Sequence, residues 1–259
     1  MGFPESALTR IGFISKNNVI IPSDWEIIMD EKLTKHGIKT FLAPINWIIV
    51  TGLVFFISAG GITHLRAWIY MGIYAIGGLI IGMILLKKSP KLLNDRGKMQ
   101  EGNKQLDKII ILAYFLFAIV ITPLVAGIDK RFNVTEEQPF FYLYIGIILY
   151  LFSAIFSIWP MLHNPFFEGM VRIQKNKNHR VINTGPYKIV RHPGYIGMLL
   201  GSISLPLALG SVLAFIPVLI MALLIFIRTY YEDTTLKREL TGYSEYCKNV
   251  KYRLIPYIW

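Results

Sequence analysis

Residues 192–227 read HPGYIGMLLGSISLPLALGSVLAFIPVLIMALLIFI, without one Asp, Glu, Lys or Arg. At ~1.5 Å per residue a single helix of this length would run about 54 Å, well beyond the roughly 30 Å hydrocarbon core of a bilayer. The chain must therefore turn back within it. Leu209-Gly210-Ser211 is the natural break, because glycine ends helices readily. The stretch is expected to form a tight helical hairpin, Tyr195–Leu209 and Val212–Ile227. Pro206 and Pro217 are expected to kink its arms, which membrane helices tolerate when neighbours satisfy the freed backbone groups.

Four further runs lack acidic and basic residues: 40–65, 67–86, 109–128 and 138–167. They predict spans at about Phe41–Ile62, Ala67–Leu86, Ile109–Ile128 and Pro139–Pro160. The 259 residues are 54% hydrophobic and 17% charged, against about 45–50% and about 25% in soluble domains. That excludes a soluble enzyme, a disulfide-stapled secreted scaffold and a disordered tail. Cys247 is the single cysteine and cannot form an internal disulfide. Of the 27 Lys and Arg residues, 24 fall before the first span, in 87–108, in 161–191 and from Arg228 onward. Only Arg66, Lys130 and Arg131 fall on the alternate loops. By the positive-inside rule the expectation is an all-α polytopic membrane protein with six spans and both termini cytoplasmic. Its parts are a cytoplasmic segment 1–40, a four-helix membrane region 41–165 and a functional core 166–259. No cleavable signal peptide is apparent at the start. Met1-Gly2-Phe3-Pro4-Glu5-Ser6 fits a myristoylation pattern that is too short to carry weight.

Polar residues concentrate at the two ends of the hairpin. The first group runs Arg172, Gln174, Lys175, His179, Arg180, Val181, Ile182, Gly185-Pro186-Tyr187 and Arg191-His192-Pro193-Gly194-Tyr195. The second is Arg228-Thr229-Tyr230-Tyr231-Glu232-Asp233, followed by Gly242-Tyr243 and Tyr246. A hairpin returns the chain to the face it left, so the two groups meet. Arg228 and Glu232, four apart, share a helix face. The turns at Gly185-Pro186 and Pro193-Gly194 let backbone approach a ligand closely. Cations, one carboxylate, aromatic rings and exposed backbone suit a zwitterionic amino acid joined to a flat base. Taken singly, Arg191 and Arg228 are explained as snorkelling residues, and the tyrosines as an interfacial belt. Neither explains the joint clustering. The 87–108 loop has no such cluster and is expected to be a topology signal with a solvated face.

Other chemistries find no support. His36, His64, His163, His179 and His192 lack metal-ligand spacing with carboxylates or Cys247, so no metal is expected. There is no Gly-rich phosphate loop and no free basic helix for nucleic acid. Spans one to four carry no central charge of the kind a pump or transporter commonly uses.

The ordered elements Gln174…His179-Arg180-Val181-Ile182…Gly185-Pro186-Tyr187…Arg191-His192-Pro193-Gly194-Tyr195, then Arg228…Glu232-Asp233…Leu236, then Gly242-Tyr243…Tyr246…Pro256, resemble the isoprenylcysteine carboxyl methyltransferase family. Phospholipid N-methyltransferases are related to it. The resemblance covers about 170–259. It implies an enzyme that uses S-adenosylmethionine on the cytoplasmic face. Carried to matching positions, Gln174, His179, Arg180, Val181, Ile182, Tyr187, His192, Pro193, Gly194 and Tyr195 would line the cofactor pocket. Glu232 would hold the cofactor's ammonium. Arg228 would position an acceptor entering from the bilayer, in the family a carboxylate on a lipid-modified cysteine. Members often carry two adjacent glutamates where this chain has Glu232-Asp233, and the Gln174–His179 spacing is shorter than in some.

Three alternatives stay open: a phospholipid or small-molecule N- or S-methyltransferase, a nicotinamide-dependent reductase, and a non-enzymatic membrane scaffold or transporter. The tail Tyr246-Cys247…Tyr252-Arg253-Leu254-Ile255-Pro256 also resembles membrane sterol reductases. Those carry Arg-His-x-Asn-Tyr where this chain has Arg191-His192-Pro193-Gly194-Tyr195.

Overall fold

The computed structural model describes residues 13–16, 19–22, 32–98, 104–136, 138–174 and 177–259. The membrane region is helical throughout. Among the described residues, five helices are long and apolar enough to cross a bilayer: α1 Lys35–Ala59, α2 Leu65–Lys88, α4 Gln105–Phe132, α5 Phe141–His163 and α7 Phe215–Glu239. Between them lie the short α3 Pro90–Arg96 and the apolar α6 Pro193–Leu209. A last helix, α8 Tyr243–Asn249, follows. The all-α expectation needs one correction. Strands β1 Phe13–Lys16 and β2 Val19–Pro22 pair antiparallel, Phe13 opposite Pro22. Phe13-Ile14 before Asn17-Asn18 and Val19-Ile20-Ile21 after it carry that signal. The Met1–Ser6 pattern lies outside the described residues.

The long charge-free run does divide into two helices. α6 ends at Leu209 on a left-handed Gly210, φ 70°, a conformation only glycine adopts at no steric cost. The tip is fastened from α4. Asp129 accepts from the Ser211 hydroxyl, from the Thr135 amide at 2.8 Å and from its hydroxyl at 2.7 Å. Pro206 lies inside α6. Pro217 does not kink the second arm. It sits in the first turn of α7, where its missing N–H breaks no intrahelical bond.

α6 packs most closely on α5 through small residues. A β-carbon on Gly146 would stand 2.7 Å from the Ala208 nitrogen, and one on Gly197 3.0 Å from the Ser153 carbonyl oxygen. Ser153 Oγ donates to Gly197 O at 2.8 Å. Close helix approach through Gly, Ala and Ser is the usual packing device where lipid removes the hydrophobic drive between helices. In α4 a single π-helical turn, Phe117–Ile121, precedes Thr122-Pro123. Pro123 has no N–H to give back to the preceding turn, so the ladder widens there.

Two boundaries differ from the expectation in ways that matter for the site. α4 starts at Gln105, one turn before the charge-free run, and so takes Asp107 into the helix. α7 continues to Glu239, past Ile227, and carries Arg228, Glu232 and Asp233 as one rigid extension. With α6 as the short arm of the hairpin, reporters fused at residues 1 and 259 should read the cytoplasmic side, and a cysteine replacing Gly61 the opposite side. Impermeant thiol labelling in a Cys247→Ser background checks this; either end reading opposite to the other would refute six crossings.

Candidate functional site

A cavity of about 690 Å³ runs through the described residues. At one end it is walled by Trp47, Tyr74, Tyr114 and Phe115 from the membrane helices. At the other it reaches His179–Ile182, Tyr187, His192, Glu232 and Tyr243. The hairpin therefore brings both polar groups to one space, and that space continues into an apolar tunnel.

Neighbouring carboxylates on α7 divide the work because successive helical residues point about 100° apart. Asp233 faces inward and is fully buried. It accepts from Arg191 Nε at 2.8 Å, the Tyr243 hydroxyl at 3.0 Å and Arg253 Nε at 3.0 Å, with His192 Nε2 at 3.3 Å. Arg191 also donates to the Val250 and Lys251 carbonyls at 2.8 and 2.7 Å. The amides of Arg191 and His192 donate to Tyr252 and Arg253 carbonyls at 3.0 and 2.9 Å. Asp233 thus ties the start of α6 to the chain end. Glu232 faces the cavity, with its side chain 25% exposed. It accepts from the Tyr195 hydroxyl and stands 3.7 Å from His192 Nδ1.

Arg228 also lines the cavity, but it is not a free cation. Its Nε and Nη2 donate to the two Asp107 oxygens at 2.6 and 3.2 Å, and Nη2 to the Gly169 carbonyl at 2.6 Å. Its guanidinium lies over the Tyr195 ring, 5.1 Å from the centroid. Asp107, fully buried, also accepts from the Val171 amide at 2.7 Å. This corrects the reading of 87–108 as only a topology signal: Asp107 and the cavity-lining Arg96 both come from it. Sequence reasoning missed both. The one signal was an acidic residue, Asp107, at the edge of an apolar run.

The remaining expected residues are placed as follows. His179, Arg180, Val181 and Ile182 line the cavity. Among the described residues, His179, Val181, Ile182 and Asn183 make no backbone–backbone hydrogen bond, leaving their amides and carbonyls available to a ligand. His179 packs on Phe166, ring centroids 4.5 Å apart. Burial drops its pKa to about 4, against the opposing pull of Glu168, so the ring is neutral at pH 7. The Tyr187 hydroxyl accepts from Asn164 Nδ2 at 3.1 Å, and its carbonyl accepts from the Tyr246 hydroxyl at 2.6 Å. His192 and Tyr195 stack, centroids 5.8 Å apart. Pro193 opens α6. Gly194 lines the cavity, yet its bare Cα is needed by protein. A β-carbon there would stand 2.7 Å from the Phe167 ring. Gly185, φ 55°, similarly makes way for the His163 ring. Gln174 does not reach the cavity wall. It is buried, its Nε2 donating to the Phe166 carbonyl at 2.8 Å and its amide to His179 Nδ1 at 3.3 Å. Cys247 is half-buried, and burial raises its thiol pKa, so it is no poised nucleophile.

Residues 146–238 match the isoprenylcysteine carboxyl methyltransferase family, a segment that starts inside α5 and ends near the close of α7. The chain is 24% identical over 125 residues to two probable protein-S-isoprenylcysteine O-methyltransferases, of Oryza sativa subsp. indica and subsp. japonica, covering 47% of this chain and 65% of theirs. It is 33% identical over 99 residues to a Delta(14)-sterol reductase of Mus musculus, covering 37% of this chain and 24% of that one. The chain thus spans less than two thirds of the length of each of these relatives. No solved structure matches it. The match to the isoprenylcysteine carboxyl methyltransferase family contains the cavity-lining His179–Ile182, Tyr187, His192, Tyr195, Arg228 and Glu232, whereas Leu240, Tyr243 and Tyr246 lie beyond it. Asp107 and Arg96 lie outside it.

Two outcomes follow from the buried groups. Asp107→Ala leaves Arg228 charged and unpaired, and should lower stability by about 3–5 kcal/mol. Adding Arg228→Met should restore much of that loss, as read by thermal unfolding in detergent; additive losses would show that the two are not coupled. For His179, the folded pKa lies below the unfolded value of about 6.5. The neutral ring's contribution to stability is therefore complete above that value and is lost as pH falls through about 4. His179→Gln should flatten that limb of the stability profile.

Proposed function

We propose that this protein is an integral-membrane methyltransferase that uses S-adenosylmethionine at the polar end of the cavity and methylates a lipophilic carboxylate reaching it from the bilayer. The observation that carries the reading is a single cavity joining a carboxylate and open backbone at one end to an apolar tunnel at the other. The family match and the methyltransferase names of the rice relatives point the same way. We place the site on the cytoplasmic face, from the distribution of Lys and Arg.

The residues present fit the cofactor. Glu232 is cavity-lining and partly exposed, and takes a hydroxyl donor from Tyr195 while keeping acceptor capacity. It would hold the ammonium. The cavity-lining backbone of Val181 and Ile182 and the rings of Tyr187 and neutral His179 would take the base. Gln174 would act from behind, keeping Phe166 and His179 in place. When bound, S-adenosylmethionine supplies an activated methyl group on a sulfonium. Arg228, clamped by Asp107, keeps its Nη1 edge without an acceptor among the described residues and would direct it at the acceptor. An acceptor carboxylate is already anionic at neutral pH, so the protein need not remove a proton. Its work is alignment and exclusion of water. The apolar tunnel, buried between α1, α2, α4 and α6, does both.

The mouse Delta(14)-sterol reductase likeness makes a nicotinamide cofactor the competing reading. Calorimetry on the purified chain separates them: S-adenosylmethionine should bind, and a reduced nicotinamide dinucleotide should not. Glu232→Ala should weaken S-adenosylmethionine binding by about 10- to 100-fold, the value of a hydrogen bond to a charged group. Radiolabelled methyl transfer into membrane extract, followed by base, should release volatile methanol, as only a methyl ester does. Label stable to base would indicate an amine or thiol acceptor instead.

A further inference from the structure

Resting on that reading, we propose that Arg96, the last residue of α3, is the group that binds the acceptor's carboxylate and makes the cavity selective for an anion.

The cations around the cavity are mostly spoken for. Arg172 is held by Glu168 at 2.7 and 2.9 Å. Arg191 is held by Asp233, and Arg228 by Asp107. Each of these pairs is close to neutral as a unit. Arg96 lines the same cavity, and among the described residues no carboxylate lies within ion-pairing distance of it. The nearby Glu168 already bridges Arg172 and Lys177, the latter at 3.2 Å. Arg96 makes one hydrogen bond, Nη1 to the Phe167 carbonyl at 3.3 Å, and lies over the Phe167 ring at 5.4 Å. Its Nε and Nη2 have no acceptor among the described residues.

The position is held rigidly. Leu92 and Leu93 of α3 are buried. Asn94 is buried and accepts from the Thr34 amide and hydroxyl at 2.8 and 2.9 Å. Gly97 is pressed against the His36 carbonyl at the start of α1. Phe167, on which Arg96 stacks, packs in turn on Gly194 at the start of α6. Arg96 is thus fixed between the apolar tunnel and the cofactor-side helix, where the polar end of a lipophilic acceptor would have to stop. Burial, reinforced by repulsion from Arg228, drops the Arg96 pKa to about 10. It stays charged at pH 7, and an arriving carboxylate would relieve both costs. An ammonium acceptor would meet uncompensated positive charge, which disfavours an amine.

The test uses the full chain in nanodiscs and reads binding without turnover. The probes are an S-prenylated N-acylcysteine and its uncharged carboxamide. The wild type should prefer the carboxylate by about 10- to 100-fold. Arg96→Gln should bind the two alike, with S-adenosylmethionine affinity within about twofold of wild type, and Arg96→Lys should recover part of the preference. In turnover, Arg96→Gln should raise KM for the carboxylate far more than it lowers kcat. A wild-type carboxylate preference that survives in Arg96→Gln, or a variant that loses cofactor and both probes together, overturns the assignment. Failure of the wild type to bind S-adenosylmethionine would overturn the methyltransferase reading and leave the probe comparison standing.

Discussion

The functional end of the molecule depends on one buried carboxylate. Asp233 draws in Arg191, His192, Tyr243 and Arg253, from the loop before α6, from α8 and from the chain end. These bonds add to the apolar packing of Leu240, Tyr243, Tyr246 and Val250 and of the buried Leu254. A fully buried Asp is costly unless its oxygens are filled by donors. Here both oxygens are filled, and the same bonds fix where α6 begins. Because Asp233 is committed inward, its neighbour Glu232 is left to the cavity. The one-residue offset on a rigid helix separates a structural carboxylate from a ligand-facing one.

The second buried pair, Arg228 with Asp107, does the same across a longer gap. It fastens α7 to the start of α4 and, through Val171 and Gly169, to the loop between. Its consequence is electrostatic as well as structural. A clamped arginine offers directed N–H groups with little net charge, whereas Arg96 offers charge with few fixed partners. A cavity with both can orient an anion and select for it. This division does not follow from the presence of either arginine alone.

The five long apolar helices and the short α6 were legible because lipid imposes long charge-free runs. The hairpin break was legible because Gly210 sits where a left-handed cap is required. The cavity's polar residues could be gathered from the two ends of that hairpin. What could not be read was compensation. Asp107 lies 121 residues from its partner, in a loop whose basic character looked sufficient to explain it. A sequence shows that Arg228 is positive but not that Asp107 already pairs with it, and nothing in the 87–108 loop singled out Arg96. Gly194 and Gly185 carry a second constraint that no sequence shows: their lack of a side chain makes room for Phe167 and His163.

The brevity of α6 bears on how a lipophilic acceptor would reach this site. Its 17 residues rise about 25 Å at ~1.5 Å each, short of a hydrocarbon core of roughly 30 Å. α5, at 23 residues, is long enough to span it. With the hairpin tip tied to Asp129, that shortfall would fall at the other end, at His192-Pro193, and would draw Tyr195 and the Glu232 carboxylate to the edge of the apolar layer. A polar headgroup could then meet the site while its chain stays among lipid-like surroundings, with little cost for lifting apolar surface into water. Such a depth also lowers the local dielectric around Arg96 and the Arg228–Asp107 pair, which strengthens their hold on an anion. The length of one helix thus sets both the route of access and the strength of the charges that would receive the acceptor.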